Sequence, residues 1–287
     1  MRAYGERVTQ AIPPQDAVAP WGAERRANPI RGTVLMASYN EAGSIASVLG
    51  EVALAADSLT TQGIALKVLL VDDNSPDGTA ESARRVAAET GLRLEVLSGN
   101  KEGLGAALVR GFRHLERPGT EQSAFIVTLD ADGQHDARQI PDLVEAFFER
   151  DSGVMIGSRW TPGGSSPGTS LARSYLSRGG NWAFRVITGT RGVRDATTSF
   201  RVIRPEGVAL FDPGRLKVDG YAFFSAFIAL AQARGFAVHE SPITFRPRAA
   251  GLSKLTLRDC GEFFVNLFAV RVVAREARAE ATENRSR

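Results

Sequence analysis

Short apolar runs alternate with amphipathic segments through the first half of the chain. The runs are of strand length and rich in Val, Ile and Leu, which is typical of buried strands; they lie at 33–36, 66–71, 92–97 and 125–129. Between them, apolar residues recur at helical spacing at 45–54, 76–90 and 104–115. Strands alternating with helices in this way predict βαβ units and a mostly parallel central sheet flanked by helices.

The pattern loosens after a fifth predicted strand at 153–157. A Gly/Pro/Ser-rich loop follows at 160–170, then a helix, strand-like segments at 199–203 and 236–245, and an apolar core helix within 220–233. We therefore predict a single α/β domain over residues 30–257, with a first lobe at 30–158 and a second lobe at 159–257. Residues 1–29 are predicted to be a flexible arm, and 258–287 an amphipathic helix with a polar tail.

Composition narrows the class of protein. The chain has 287 residues, of which 43% are hydrophobic, and it carries one cysteine. A net charge of +3 is too weak a basic signal for a dedicated nucleic-acid binder. The N-terminus has no apolar segment typical of a secretory signal. We expect a cytoplasmic protein.

An acidic triplet is the most informative motif. Asp130 and Asp132 close the apolar strand at 125–129 and are followed by Gly133 and Gln134. Ligands of open α/β sheets bind at the carboxyl ends of the strands. Mg²⁺ is commonly held there by one or two carboxylates and by substrate phosphates. The triplet thus indicates a nucleoside-diphosphate site, although Asp and Gly also end strands simply by making turns.

Polar groups end the first two strands as well. Tyr39 and Glu41 follow the first strand, and Asp73 follows the second, whereas Asp77 is placed to cap the next helix. A dinucleotide-binding fingerprint is not supported, because the pair Gly103 and Gly105 lacks a third glycine and does not directly follow a strand.

The second lobe is basic between residues 159 and 204. It holds eight arginines in that interval against one acid, Asp195. Arg159 follows the fifth strand and Arg173 opens a helix, so both are candidates to bind phosphate, which arginine matches bidentately. A further basic segment runs from Arg248 through Ser253 to Lys254.

These motifs, taken in order, carry a family resemblance. From about Gly32 to Leu257 the chain resembles the family-2 inverting glycosyltransferases of the GT-A fold, and most closely the polyprenyl-phosphate (dolichol-phosphate) mannose synthases. The resemblance rests on these segments: 38–41 (SYNE), 71–79 (VDDNSPDGT), 103–107 (GLGAA), 129–135 (LDADGQH), 157–160 (GSRW) and 251–254 (GLSK).

The resemblance implies a role for each matching residue. The nucleoside would contact Ala37, Tyr39, Glu41 and Asp73. Mg²⁺ or Mn²⁺ would be bound by Asp130, Asp132 and Gln134, with Asp132, Arg159 and Arg173 as the catalytic residues. The donor and acceptor phosphates would contact Arg159, Arg173, Arg248, Ser253 and Lys254.

The implied reaction is transfer of a hexose, most simply mannose from GDP-mannose, to polyprenyl phosphate. The family usually has a Gln and an acidic residue where Phe224 and Ala226 stand, which leaves other substrates open. The alternatives are a UDP-glucose-type donor, a non-lipid acceptor, or a degenerate nucleotide-sugar-binding module.

The C-terminal helix offers a possible route to a lipid. Phe263, Phe264, Leu267 and Phe268 fall on one helical face near Arg271 and Arg275. An apolar stripe beside basic residues is typical of an interfacial helix, but such a stripe is more often that of a helix packed on a core. Membrane-peripheral docking is one expectation, and core packing is the other.

Overall fold

The computed structural model describes residues 29–207, 221–247 and 257–286. The predicted arm therefore lies, apart from Pro29, outside the described residues. The strands are β1 (Ile30–Ser38), β2 (Ile64–Asp72), β3 (Leu94–Ser98), β4 (Phe125–Asp130), β5 (Val154–Ser158), β6 (Arg201–Ile203) and β7 (Val238–Pro242). The α-helices are α1 (Ile45–Thr60), α2 (Thr79–Thr90), α3 (Leu104–Leu115), α4 (Ile140–Glu149), α5 (Leu171–Thr188), α6 (Tyr221–Ala233) and α7 (Leu257–Ser286).

All the strands named above join one sheet in the order β3-β2-β1-β4-β6-β5-β7. β1 pairs in parallel with β2 and β4, and β2 pairs in parallel with β3. β6 runs antiparallel between β4 and β5, while β5 and β7 are parallel. The predicted mostly parallel α/β sheet is confirmed, with β6 as the one antiparallel insertion.

Both faces of the sheet are covered, which is why its strands are continuous apolar runs. Along β1, Val34 and Met36 point to one face and Leu35 to the other, following the two-residue repeat of a strand. The first face packs against α1, α2 and α4. The second packs against α3, α5, α6 and α7.

Helix α2 begins three residues later than the sequence predicts. The prediction began it at Pro76, but Asn74 and Gly78 adopt positive φ angles of 53° and 83°, which delay the helix to Thr79. The Asp77 carboxylate accepts hydrogen bonds from the Thr79 N–H at 3.1 Å and from the Ala42 N–H at 3.0 Å. Asp77 is therefore structural, as predicted, although the N-cap position itself is occupied by Gly78.

The two C-terminal helices complete the second face. α6 is the predicted core helix, and its side chains from Ala222 to Leu230 are all buried. α7 packs against α6 and α5 and continues to Ser286, through the segment predicted as a polar tail. No helix in the described part of the chain is both long and apolar enough to span a bilayer.

Candidate active site

The sheet register brings the predicted strand tips together. Ala37 on β1 pairs with Val71 on β2 and with Asp130 on β4. The Asp73 N–H donates to the Ser38 carbonyl at 3.1 Å, which extends this edge by one residue. The carboxyl ends of three adjacent parallel strands thus form one polar cleft, as expected for ligand sites in such sheets.

The acidic turn is rigidly shaped. Gly133 has a φ of +76°, a conformation that side-chain-bearing residues rarely adopt. The Gln134 N–H donates to Asp132 Oδ1 at 3.0 Å, and Ser44 Oγ donates to the Ala131 carbonyl at 2.9 Å. The turn is therefore fixed to the start of α1, while Asp130 stays about one-third exposed.

The donor set of this turn fits a hard divalent cation. Asp130 and Asp132 supply carboxylates and Gln134 an amide oxygen, the ligand types that Mg²⁺ prefers. Among the described residues, no three His, Cys, Asp or Glu side chains could hold a metal by themselves. A cation here would depend on Gln134 and on oxygens of the substrate.

Two cations line the predicted nucleoside side of the cleft, and the sequence analysis missed both. Arg110 Nη1 donates to Asp73 Oδ1 at 2.7 Å, and Arg110 Nη2 contacts Glu102 Oε2 at 3.0 Å. Lys101 Nζ lies 3.9 Å from the centre of the Tyr39 ring. Arg110 is only partly buried and stands between the buried Val109 and Gly111 of α3; a cation inside that mostly apolar stretch was the available signal.

Arg159 is fixed by the lone acid of the basic segment. Its Nε donates to Asp195 Oδ2 and its Nη2 to Asp195 Oδ1, both at 2.7 Å, and its backbone N–H donates to Oδ2 at 3.0 Å. Asp195 is fully buried, whereas the Arg159 side chain is 15% exposed. A bidentate pair of this kind fixes the guanidinium in orientation as well as position.

The backbone at Asp195 is held in place by a second carboxylate, Glu240. Glu240 Oε1 on β7 accepts hydrogen bonds from the backbone N–H groups of Arg194 and Asp195, both at 2.8 Å. Burial raises the pKa of Glu240 above its usual value, although those two hydrogen bonds oppose the rise. The loop before β6 is thus anchored where it presents Asp195 to Arg159.

Arg201 on β6 hydrogen-bonds the loop that carries Asp195 to helix α6, from within the core. It is fully buried and donates to the carbonyls of Ala196 and Phe224 at 2.8 Å each. Its guanidinium lies 5.0 Å from the Phe224 ring. Burial lowers the pKa of Arg201 to about 9, while the charges of Asp195 and Asp130 oppose that shift, so it remains a cation at neutral pH.

Phe224 and Ala226, the departures from the family pattern, are core residues. Both are buried on α6, and Phe224 packs edge-on against Phe223. Their apolar character follows from the buried face they occupy.

His135 is a buried packing residue at the base of the cleft. Its Nε2 lies 3.2 Å from Thr198 Oγ1, and its ring lies 5.5 Å from that of Phe200 and 5.0 Å from that of Phe245. Burial lowers the pKa of His135 to about 4; the charges of Asp132 and Asp195 oppose the shift and that of Arg159 adds to it. His135 Nδ1 also lies 3.6 Å from Asp130 Oδ2, so the imidazole is next to the acidic turn.

The remaining predicted phosphate ligands divide into two groups. Arg173 is exposed in the first turn of α5, where its N–H donates to the capping Ser170 Oγ at 3.3 Å. Arg248, Ser253 and Lys254 lie outside the described residues.

A mixed α/β sheet with an acidic turn at the carboxyl end of a parallel strand, together with the buried Arg159–Asp195 pair, is the arrangement expected of a GT-A glycosyltransferase. Residues 33–209 match the family described as Glycosyl transferase family 2. The chain belongs to that family and is a glycosyltransferase, as the sequence analysis predicted.

Two curated relatives cover most of the chain. A protein of Mycolicibacterium smegmatis named polyprenol monophosphomannose synthase is 33% identical over 79% of this chain and 81% of its own length. A protein of Micrococcus luteus named undecaprenyl-phosphate mannosyltransferase is 32% identical over 83% of this chain and 93% of its own length.

Solved structures share the fold at low identity. A mannosyl-3-phosphoglycerate synthase from Rubrobacter xylanophilus superposes with a TM-score of 0.56 at 18% identity, covering 88% of this chain and 75% of that one. A mannosyltransferase from Pyrobaculum calidifontis, solved with GDP-mannose and Mn²⁺, gives 0.53 at 18% identity, covering 93% and 78%. The predicted GT-A fold is therefore confirmed, and one neighbour of the same fold holds a divalent cation.

Proposed function

We propose that this glycosyltransferase moves mannose from GDP-mannose onto the phosphate of a polyprenyl phosphate. The names of the two curated relatives support the acceptor and the sugar. The observation that carries the proposal is the Arg159–Asp195 pair, which fixes the Arg159 guanidinium. That guanidinium and the ring of His135, which follows the acidic turn, each lie 5.0 Å from the Phe245 ring. The Arg159 guanidinium can bind the phosphate of one substrate, and a metal ion on Asp130 and Asp132 can bind the diphosphate of the other.

The acceptor explains why no protein base is needed. A phosphate monoester has a second pKa near 6, so at neutral pH its oxygen is already an anionic nucleophile. A phosphate oxygen forms the bond to the sugar C1 as the bond from C1 to the donor diphosphate breaks. The electron pair leaves with GDP, no proton is transferred, and in-line attack inverts the anomeric carbon.

The roles of the residues follow from where charge develops. Mg²⁺ or Mn²⁺ bound by Asp130, Asp132 and Gln134 would supply Lewis-acid stabilisation of the leaving diphosphate. Arg159 and Arg173 would hold the acceptor phosphate and offset the growing charge. The nucleoside would contact Ala37, Tyr39, Glu41 and Asp73, and the phosphates would also contact Arg248, Ser253 and Lys254.

The test is lipid labelling by the purified full chain. Radiolabelled GDP-mannose, polyprenyl phosphate and Mg²⁺ should give acid-labile label in the organic phase, and Asp132→Ala should lower the rate on the order of 10²-fold or more. Asp57→Asn on the exposed side of α1 is the control and should keep the wild-type rate. If lipid were labelled only from UDP-glucose, the proposal that GDP-mannose is the donor would be wrong. If Asp132→Ala kept the wild-type rate, the proposed metal site would be wrong.

We further propose that the protein docks on an anionic bilayer through α5 and α7. Both helices expose apolar side chains, and they pack side by side. The exposed apolar residues are Leu171, Tyr175, Leu176, Trp182 and Val186 on α5, and Phe264, Val265, Phe268 and Val272 on α7.

Charge supports a bilayer as the partner of this surface. Leu171, Tyr175, Trp182 and Val186 share one helical stripe with the exposed Arg178, and Arg275 lies on the exposed stripe of α7. Apolar and aromatic side chains mixed with arginine are typical of helices lying in a membrane interface. Arg173 opens the same helix, which would put a phosphate ligand at the level of the lipid headgroups.

A further inference from the structure

The side chain of Arg246 links α1 to the segment that follows the acidic turn. Its Nη1 lies 2.7 Å from Glu51 Oε1 on α1, and its Nη2 lies 2.5 Å from Asp136 Oδ2, two residues past Gln134. The Glu51 Oε2 atom also accepts a hydrogen bond from the Ala137 N–H at 3.2 Å. All three charged side chains of this bridge are less than one-third exposed.

The main chain of Arg246 is hydrogen-bonded to both the backbone and the side chain of Gln134. The Arg246 N–H donates to the Gln134 carbonyl at 2.7 Å, and Gln134 Nε2 donates to the Arg246 carbonyl at 3.3 Å. With its nitrogen directed at Arg246, the amide presents its oxygen in another direction. Oxygen is the atom that a hard cation binds.

In the bridge formed by Arg246, Glu51 and Asp136, opposite charges stabilise one another. Burial opposes the charge on Arg246, but hydrogen bonds and attraction from Glu51 and Asp136 outweigh it and raise the pKa of Arg246. Burial likewise opposes the Asp136 charge, yet Arg138 and Arg246 together lower the pKa of Asp136 to about 2. Arg246 and Asp136 therefore both carry their charge at neutral pH.

We propose that Arg246 is a positioning residue that orients Gln134 and thereby sets the affinity of the acidic turn for its divalent cation. This inference rests on the proposed function, because it requires a cation at Asp130, Asp132 and Gln134. The ion pairs of the Arg246 side chain fix the position of its backbone. The Arg246 carbonyl then accepts the hydrogen bond that orients the Gln134 side-chain amide. Loss of such an outer-shell partner typically weakens metal binding 10- to 100-fold.

The chain supplies a matched control in Arg138. Arg138 also pairs with Asp136, with Nε to Oδ1 and Nη2 to Oδ2 both at 2.9 Å. It does so from the solvent side, with 58% of its side chain exposed. Arg138→Ala removes one partner of Asp136 while leaving both hydrogen bonds between residues 246 and 134 in place.

The experiment measures Mn²⁺ binding by electron paramagnetic resonance with the full chain and GDP. Arg246→Ala should raise the Mn²⁺ dissociation constant about 10-fold or more, Arg246→Lys should lie between it and wild type, and Arg138→Ala should match wild type. In the transferase assay, Arg246→Ala should need more Mn²⁺ for half-maximal rate, with a near-normal rate at saturating metal.

Each other outcome is decisive. Unchanged Mn²⁺ affinity in a folded Arg246→Ala or Arg246→Lys, checked by circular dichroism, would overturn the inference and leave the metal site standing. Equal weakening in Arg138→Ala would also overturn it, because Asp136 alone would then be responsible. Wild-type protein that binds no Mn²⁺ would overturn the metal site itself, and this inference with it.

Discussion

At the scale of single residues, Asp195 shows what the sequence indicated and what it could not. The sequence showed one acid among eight arginines but did not assign it a role. It could not show which arginine Asp195 holds, because the pair joins residues 36 positions apart in two different loops. The basic face predicted for this segment is therefore anchored at one point by a buried charge.

We expect Asp195→Asn to destabilise the fold by about 3 kcal/mol, because breaking one side of a buried pair leaves Arg159 without its counter-charge. Urea denaturation measures this. Asp151→Asn is the control, since its pair with Arg204 involves a carboxylate that is about half exposed; its cost should stay below about 1 kcal/mol. Equal costs for the two variants would contradict the structural role given to Asp195.

The buried imidazole predicts a pH dependence of stability. The pKa of His135 is about 4 in the folded protein and about 6.5 when unfolded. Between these values the unfolded chain binds more protons, so stability is full above pH 6.5 and falls as the pH drops towards 4. The loss between pH 7 and pH 5 should be about 2 kcal/mol.

His135→Phe should remove that contribution, because phenylalanine does not titrate and the site is already lined by Phe200 and Phe245. The measurement is the free energy of unfolding in urea at pH 7 and pH 5 for both proteins. A wild-type loss that persists in full in the variant would assign the acid sensitivity to other groups.

At the scale of elements, the C-terminal helix has two apolar faces, which the sequence could not separate. Leu267, Val270, Ala274 and Ala277 are buried against the core, while Phe264 and Phe268 are exposed. The predicted stripe had grouped Leu267 with the exposed phenylalanines. Deleting the helix would therefore damage the core, and point substitutions are the proper test of docking.

We expect Trp182→Ser combined with Phe268→Ser to weaken binding to vesicles containing phosphatidylglycerol by roughly 10-fold, through the lost apolar burial. Flotation of the full chain measures this. Leu54→Ser is the control, because Leu54 is equally exposed but lies on α1 against the opposite face of the sheet. Flotation unaffected by the double substitution would contradict docking through this surface.

At the scale of the whole molecule, local pattern predicted the first half well. Parallel strands buried on both faces give unbroken apolar runs, so β1, β2, β4 and the helix α3 fell at or near their predicted places. The meeting of the polar strand ends was equally predictable, because the carboxyl ends of adjacent parallel strands lie at the same edge of the sheet.

What the sequence could not predict depends on contacts between distant segments. The strand-like segment predicted at 199–203 does contain β6, but β6 has only three residues, one of which is the buried Arg201, so nothing in the sequence marks it as a central strand of the sheet. Its antiparallel direction, and the clamp it places on Asp195, arise from pairing with both β4 and β5. The nucleoside-side cations Arg110 and Lys101 were missed for the same reason.

The position of β6 has a consequence for how the chain is made. β5 pairs with β6 and β7, and both follow it in sequence, by 43 residues or more, whereas β4 joins a sheet already begun by β1. A chain that ends before residue 201 lacks both strands that pair with β5 in the complete sheet. Unpaired strands of this kind bind other chains. A partial chain that ends between β5 and β6 therefore exposes strand edges that the complete sheet covers, and we expect it to aggregate more readily than the full chain.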